Sequence, residues 1–299
     1  MEKFSSRISD LNLINSQSKN EFNKNMEKFD SLKDNLAETD EIDDLKSTLI
    51  DLASFEQSST NGIKANFYFI PDLKVIFPLK VGEYLYRAVS FPKEMAIKQS
   101  LFSIRSKDET TSSGRLHSPH KPVLYLSTNK ETAIKEANTN ANNTSYIAKF
   151  KVIKPTYLRS IFVSANPFTG EPLDGADKFS LEDNKGFPIW YTTTVNEMIK
   201  RTFMIPDLKN NPLGYKLTLA IANTFFPLKE DLQIRPHKGT NYSGWLYNSV
   251  FSNNNASKNY NIALQSLAVQ NLKLEEIYQY NNNGTIDKYL FPNADGSLY

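Results

Sequence analysis

The feature that most constrains this chain is a change of pattern near residue 58. The first 58 residues contain neither glycine nor proline. Phe22, Met26 and Phe29 repeat at spacings of three and four, and so do Ile42, Leu45, Leu49 and Leu52. Such spacing puts apolar side chains on one face of a helix. Two amphipathic helices are expected, broken near Glu38-Thr39-Asp40, with Asp40 as the cap of the second. Glu41, Asp43 and Asp44 suit the positive end of that helix. Beyond the linker-like 58–61 the helical stripe gives way to short apolar and alternating runs, so the chain must combine a helical prefix with a sheet.

The strand candidates are Phe67 to Ile70, Lys74 to Phe77, Glu83 to Val89, Val123 to Leu126, Ser145 to Ile153, Tyr157 to Val163, Tyr242 to Phe251, Tyr260 to Val269 and Leu272 to Tyr280. Helices are expected over Thr192 to Phe203 and Leu213 to Phe225, with a short one around Glu94 to Gln99. Residues 166–187, rich in Pro, Gly and Asp, read as a long excursion. Helices first, then strands with helices interspersed, then strands again indicate an α+β class with a mixed or largely antiparallel sheet. No glycine-rich turn follows a strand, so neither the dinucleotide fingerprint nor the nucleotide P-loop is present. The expected division is a helical extension over 1–60 and a second domain over 61–299, with an insertion at about 160–240.

Composition narrows the chemistry. The 299 residues include no cysteine, which removes disulfides, thiolate catalysis and cysteine metal sites. No stretch resembles a signal peptide or a bilayer span, so a soluble, cytoplasmic protein without membrane contact is expected. The formal net charge is only +2. It is unevenly placed: residues 1–58 carry 13 Asp and Glu against 7 Lys and Arg, a balance of −6 that leaves +8 on the remainder. The basic excess is diffuse and no nucleic-acid motif accompanies it, so direct nucleic-acid binding is not expected. His117 and His120 lack further ligands at metal spacing, so no metal site is expected.

One stretch, Ser113 to Asn138, concentrates the candidate chemistry. It reads as loop, strand and helix, with Ser127, Thr128 or Asn129 available as the helix cap. Arg115 follows Gly114 in the loop, Tyr125 alternates with Leu124 and Leu126, and Glu136 lies two turns into the helix. Arg87 lies upstream in a strand and Ser249 far downstream. A lone residue of each kind is ordinarily structural. Together the arginines could hold oxygen anions through their planar forks, and the carboxylate could stabilise developing positive charge.

These residues resemble the RES domain family of bacterial toxins, named for arginine, glutamate and serine positions. The resemblance runs from Tyr84-Leu85-Tyr86-Arg87 through Gly114-Arg115 and Pro122-Val123-Leu124-Tyr125-Leu126-Ser127 to Thr132-Ala133-Ile134-Lys135-Glu136. It resumes at Gly244-Trp245-Leu246-Tyr247-Asn248-Ser249-Val250 and at Asn261-Ile262-Ala263-Leu264. It implies a fold similar to ADP-ribosyltransferases and cleavage of the nicotinamide–ribose bond of NAD by an NAD phosphorylase or glycohydrolase. NAD is then a substrate, with no prosthetic group. A protein ADP-ribosyltransferase on the same scaffold and a catalytically silent partner-binding module are the alternatives. In the resemblance Glu136, Arg87 and Ser249 take catalytic positions, while Arg87, Arg115 and Tyr125 bind NAD. The family typically continues Gly-Arg-Trp-Asn; here Leu116 and His117 follow Arg115, and His117 is expected to donate in place of the asparagine. Phosphate is an expected co-substrate. The implied protein partner is an antitoxin, unless residues 1–58 restrain the site from within the chain.

Overall fold

The computed structural model describes residues 16–37, 40–58, 64–68, 76–137, 143–161, 163, 165–171, 189–203, 212–228, 242–250, 259–280, 286–293 and 295–298. The chain divides into two compact units. One comprises residues 1–74, 113–116 and 174–227; the other comprises 75–112, 117–173 and 228–299. Of the expected excursion over 166–187, residues 172–187 lie outside the described residues.

The first unit is mainly helical. Helices α1 (Ser16–Asp34) and α2 (Ile42–Leu52) are the prefix. Glu41, not Asp40, occupies the N-cap of α2 and makes no side-chain cap bond. The Asp40 carboxylate instead accepts a hydrogen bond from the Ala37 backbone at 2.7 Å, closing the turn before the helix. Strands β1 (Ser54–Ser58) and β2 (Lys64–Tyr68) pair antiparallel. Two later helices, α4 (Ile189–Phe203) and α5 (Pro212–Phe225), complete the unit: α1 packs on α4 and α2 on α5. Phe29, Leu45 and Leu49 are buried, as are Met198, Phe203 and Leu217. Arg201 links Asp30 at 2.5 Å to Glu197 at 3.1 Å, and the Lys216 ammonium donates to the Asp40 carbonyl at 3.0 Å. The apolar stripes of the prefix therefore cover the later helices.

The second unit is built on a nine-stranded sheet. Its strands are β3 (Ile76–Leu79), β4 (Tyr84–Pro92), β5 (Val123–Ser127), β6 (Asn143–Val152), β7 (Thr156–Ile161), β8 (Gly244–Asn248), β9 (Tyr260–Gln265), β10 (Leu272–Tyr280) and β11 (Ile286–Leu290). The spatial order is β11-β10-β6-β4-β5-β9-β8-β7-β3, and every pairing is antiparallel except β7 with β8. The class is thus α+β with a mostly antiparallel sheet. The expected strand Lys74 to Phe77 is observed as β3 and includes Pro78, which is tolerated because β3 is an edge strand. Residues 94–98 are not helical, and a 3₁₀ turn follows at Gln99–Phe102. The expected strand at 260–269 ends at Gln265 and becomes a second 3₁₀ segment, Ser266–Asn271.

One face of this sheet is apolar. Leu85, Leu124, Leu126, Phe150, Leu246, Ile262, Leu264 and Ile277 form a core with Phe102. The other face carries the polar positions of the alternation, including Tyr86, Ser127 and Asn261, which stand opposite one another along the register. Helix α3 (Lys130–Ala137) packs on β4, β5 and β6. A bulge in β10 between Leu274 and Glu276 shifts the alternation, so that Leu274 and Ile277 are both buried while Glu276 pairs with Lys149 across the sheet. The sheet has one weak seam: β4 meets β5 through a single residue pair, Tyr86 with Ser127.

Gly244 opens β8 where the backbone of β9 leaves no room for a side chain. A Cβ there would stand 2.1 Å from the Ala263 carbonyl oxygen and 2.9 Å from the Leu264 Cα. Gly244→Ala is expected to cost at least about 2 kcal/mol, because backbone on both strands must shift; chemical denaturation measures it. Removing residues 1–58 is expected to expose the apolar faces of α4 and α5 and to lower the melting temperature, as read by circular dichroism.

Candidate functional site

Glu136 is placed by a short, firmly capped helix. Asn129 is the cap: its Oδ1 accepts from the Thr132 backbone at 2.8 Å. The Asn129 amide and the Thr132 hydroxyl both donate to Asn259 Oδ1, at 3.1 and 2.9 Å, so the start of α3 is tied to the residue before β9. Six residues on from Lys130, Glu136 extends towards β8 and β9. Its Oε1 accepts two hydrogen bonds, from Ser249 Oγ at 2.6 Å and from Asn261 Nδ2 at 2.7 Å. Ser249 is completely buried and Asn261 nearly so. Ser127 donates to Asn261 Oδ1 at 2.7 Å. That bond fixes the Asn261 amide with its NH2 group towards the carboxylate. Two neutral donors thus hold a half-buried carboxylate in one orientation.

Tyr125 shares a sheet face with Ser127, two residues and about 7 Å along the strand. Its hydroxyl lies 3.0 Å from His117 Nδ1, and the two rings are 5.6 Å apart. His117 and Tyr125 form one polar pair, whereas His120 is directed elsewhere, with Nδ1 3.0 Å from the Lys107 carbonyl. Burial lowers the pKa of His117 below its ordinary 6.5; the charge of Arg105 adds to this, and a hydrogen bond with the Ser112 backbone opposes it. Its imidazole is therefore neutral at pH 7.

Arg87 does not share the sheet face that carries Ser127 and Asn261. Arg87 is adjacent to Tyr86 on β4, so its side chain leaves the sheet on the opposite face. There its guanidinium donates to the carbonyls of Phe102, at 3.0 Å, and Ser103. Burial, and secondarily the charge of Arg105, push its pKa down to about 10, which leaves it charged at neutral pH. Arg115 belongs to the helical unit. Its guanidinium donates to the carbonyl of Phe203, the last residue of α4, and its own carbonyl accepts from Thr218 at 2.6 Å. It thereby satisfies one of the open acceptors at a helix end.

Three residues of this neighbourhood were not among the candidates: Asn261, Ser127 and Arg159. Asn261 is the one amide in the run Tyr260 to Leu264, and a polar residue inside a buried strand is a signal in its own right. Arg159 is fully buried. Along the register Arg159, Trp245, Ala263 and Tyr125 stand on one line and one face. Its Nη1 donates to the Tyr242 hydroxyl at 3.2 Å, and its guanidinium lies 5.1 Å from that ring. Among the described residues no group of three or more His, Cys, Asp or Glu could hold a metal ion, and no helix is long and apolar enough to cross a membrane. No family model, curated protein or solved structure matches this chain.

The lowered pKa of His117 has a sign for stability. The unfolded chain takes up the proton first, so stability is lost as pH falls below the ordinary value of about 6.5 and levels off beneath the folded value. Replacing His117 by Asn removes this contribution. Wild type and H117N should therefore differ most near neutral pH, with the wild type losing more stability on acidification; paired urea titrations at several pH values read the difference.

Proposed function

We propose that this chain is an NAD-consuming enzyme of the RES type, on an ADP-ribosyltransferase-like scaffold, that cleaves the nicotinamide–ribose bond. The observation that carries the proposal is the carboxylate of Glu136, held by Ser249 and Asn261 through one oxygen. Cleavage of an N-glycosidic bond passes through an oxocarbenium-like state. With Oε1 held, Oε2 would meet the ribose hydroxyls and stabilise the positive charge that develops on the sugar. The bond between the anomeric carbon and the pyridinium nitrogen breaks, and nicotinamide leaves with the electron pair. Water or phosphate supplies the oxygen that bonds to that carbon and loses its proton to solvent. In this reading Ser249 is a positioning residue and needs no nucleophilic role. The Tyr125–His117 pair would face the departing nicotinamide.

A second reading has a specific observation in its favour. Arg87 and Arg115 both spend hydrogen bonds on backbone carbonyls of their own unit. A protein of this form could bind a partner, such as an antitoxin, without turning over NAD.

Purified protein incubated with NAD and phosphate, with products identified by mass spectrometry, separates the readings. Free ADP-ribose or its 1-phosphate supports the proposal. A mass gain on a protein supports transfer to a side chain. No nicotinamide under any condition leaves the binding module. Glu136→Gln preserves the acceptor for Ser249 and Asn261 but removes the charge. It should reduce nicotinamide release by about 100-fold or more with the melting temperature little changed.

A further inference from the structure

An open depression lies on the other flank of α3. Glu136 reaches from this helix towards β8 and β9, whereas a cavity of about 450 Å³ is bounded by the start of the helix and by β4, β10 and β11. Its walls include Tyr86, Tyr278 and Tyr289, with Asn129, Lys130 and Glu131 at the helix end. The cavity does not involve Glu136, Ser249 or Asn261.

The tyrosine walls are fixed in place. Tyr278 donates its hydroxyl to Glu276 Oε1 at 2.5 Å, and the same oxygen accepts from Lys149 Nζ at 2.5 Å. Lys149 also lies 4.3 Å from the Tyr84 ring centroid. That ion pair balances its own charge and leaves the cavity close to neutral. Tyr278 and Tyr289 meet edge to face with centroids 5.2 Å apart, and Tyr289 is 51% exposed. Burial pushes the hydroxyls of Tyr86 and Tyr278 upward; the Lys149 charge opposes this at Tyr86, the hydrogen bond to Glu276 adds to it at Tyr278, and both phenols stay neutral. Asn129 is committed to capping α3 and to Asn259. The remaining charged groups at the rim are one ammonium, Lys130, and one exposed carboxylate, Glu131.

We infer that this tyrosine-walled cavity is a binding site for a purine nucleoside, with guanine favoured. Aromatic faces take a flat heteroaromatic ring of any kind. A single positive and a single negative group select a ring with both acceptor and donor edges over a simple cation or anion. Guanine presents adjacent N–H groups suited to the Glu131 carboxylate and a carbonyl suited to the Lys130 ammonium. A lone lysine opposed by a glutamate is a poor polyphosphate site, so the base and sugar supply the contacts.

Isothermal titration of the full chain with guanosine, adenosine, cytidine and uridine tests the inference, with tetramethylammonium as the rival guest. Saturable binding in the order guanosine, adenosine, then the pyrimidines is expected. Tyr289→Leu and Glu131→Gln alter exposed side chains and leave the core intact. Each should weaken guanosine binding by about 10-fold, and E131Q should erode the preference for guanosine over adenosine. Absence of binding at millimolar nucleoside overturns the inference. So does binding that neither variant changes, or uptake of tetramethylammonium in place of nucleosides. Because Glu136 takes no part, Glu136→Gln should bind guanosine like the wild type, and the outcome stands apart from any result with NAD.

Discussion

The pairing of β5 with β9 underlies both the sheet and the candidate site. All five residues of β5 find partners on β9, from Val123 with Gln265 to Ser127 with Asn261. This ladder joins segments more than a hundred residues apart. It buries Leu124, Leu126, Ile262 and Leu264 on one side. On the other it sets Ser127 against Asn261 and so delivers an amide to Glu136. Slippage by one residue would exchange these faces, exposing the leucines and burying the polar pair without partners. The cost of that exchange on both faces keeps the register, and with it the orientation of the carboxylate.

Much of the fold was legible in the sequence. Strand and helix periods located most elements, because half-buried strands alternate and amphipathic helices carry stripes. What local pattern does not encode is partnership. The prefix stripes at Phe29, Leu45 and Leu49 indicate a buried face but not that the cover comes from the much later helices α4 and α5. The bulge in β10 was likewise hidden, since the run Leu272 to Tyr280 reads as strand in either alternation. The linker-like composition of 58–61 gives no sign that β1 and β2 pair on either side of it, and β11 follows a stretch with only a turn signal.

For the site, the order of Glu136 and Ser249 along the chain pointed to residues that meet in space, at 2.6 Å. Tyr125 and His117 also meet. Arg87 shows the limit of that approach. It belongs to the motif in sequence, yet strand alternation separates it from its neighbour Tyr86, and only the pairing of Tyr86 with Ser127 reveals which of the two faces α3. Arg115 shows another limit. A guanidinium suited to an anionic ligand is equally suited to the open carbonyls of a helix end, and Phe203 supplies one. Asn261 lies in a block of the resemblance but takes no role from it, because its significance depends on Ser127 beside it, which fixes the direction of its amide.

The single rung between β4 and β5 has a mechanical meaning. Everywhere else near the centre of the sheet, relative rotation of neighbouring strands would break a continuous ladder; β4 and β6, for example, are paired along the whole of β4. At Tyr86–Ser127 it would strain only one pair. The sheet is therefore stiff on either side of this line and compliant along it. Tyr86 lines the tyrosine cavity and Ser127 aligns the amide that holds Glu136. The joint at Tyr86–Ser127 thus borders both the tyrosine-lined depression and the amide that orients the Glu136 carboxylate.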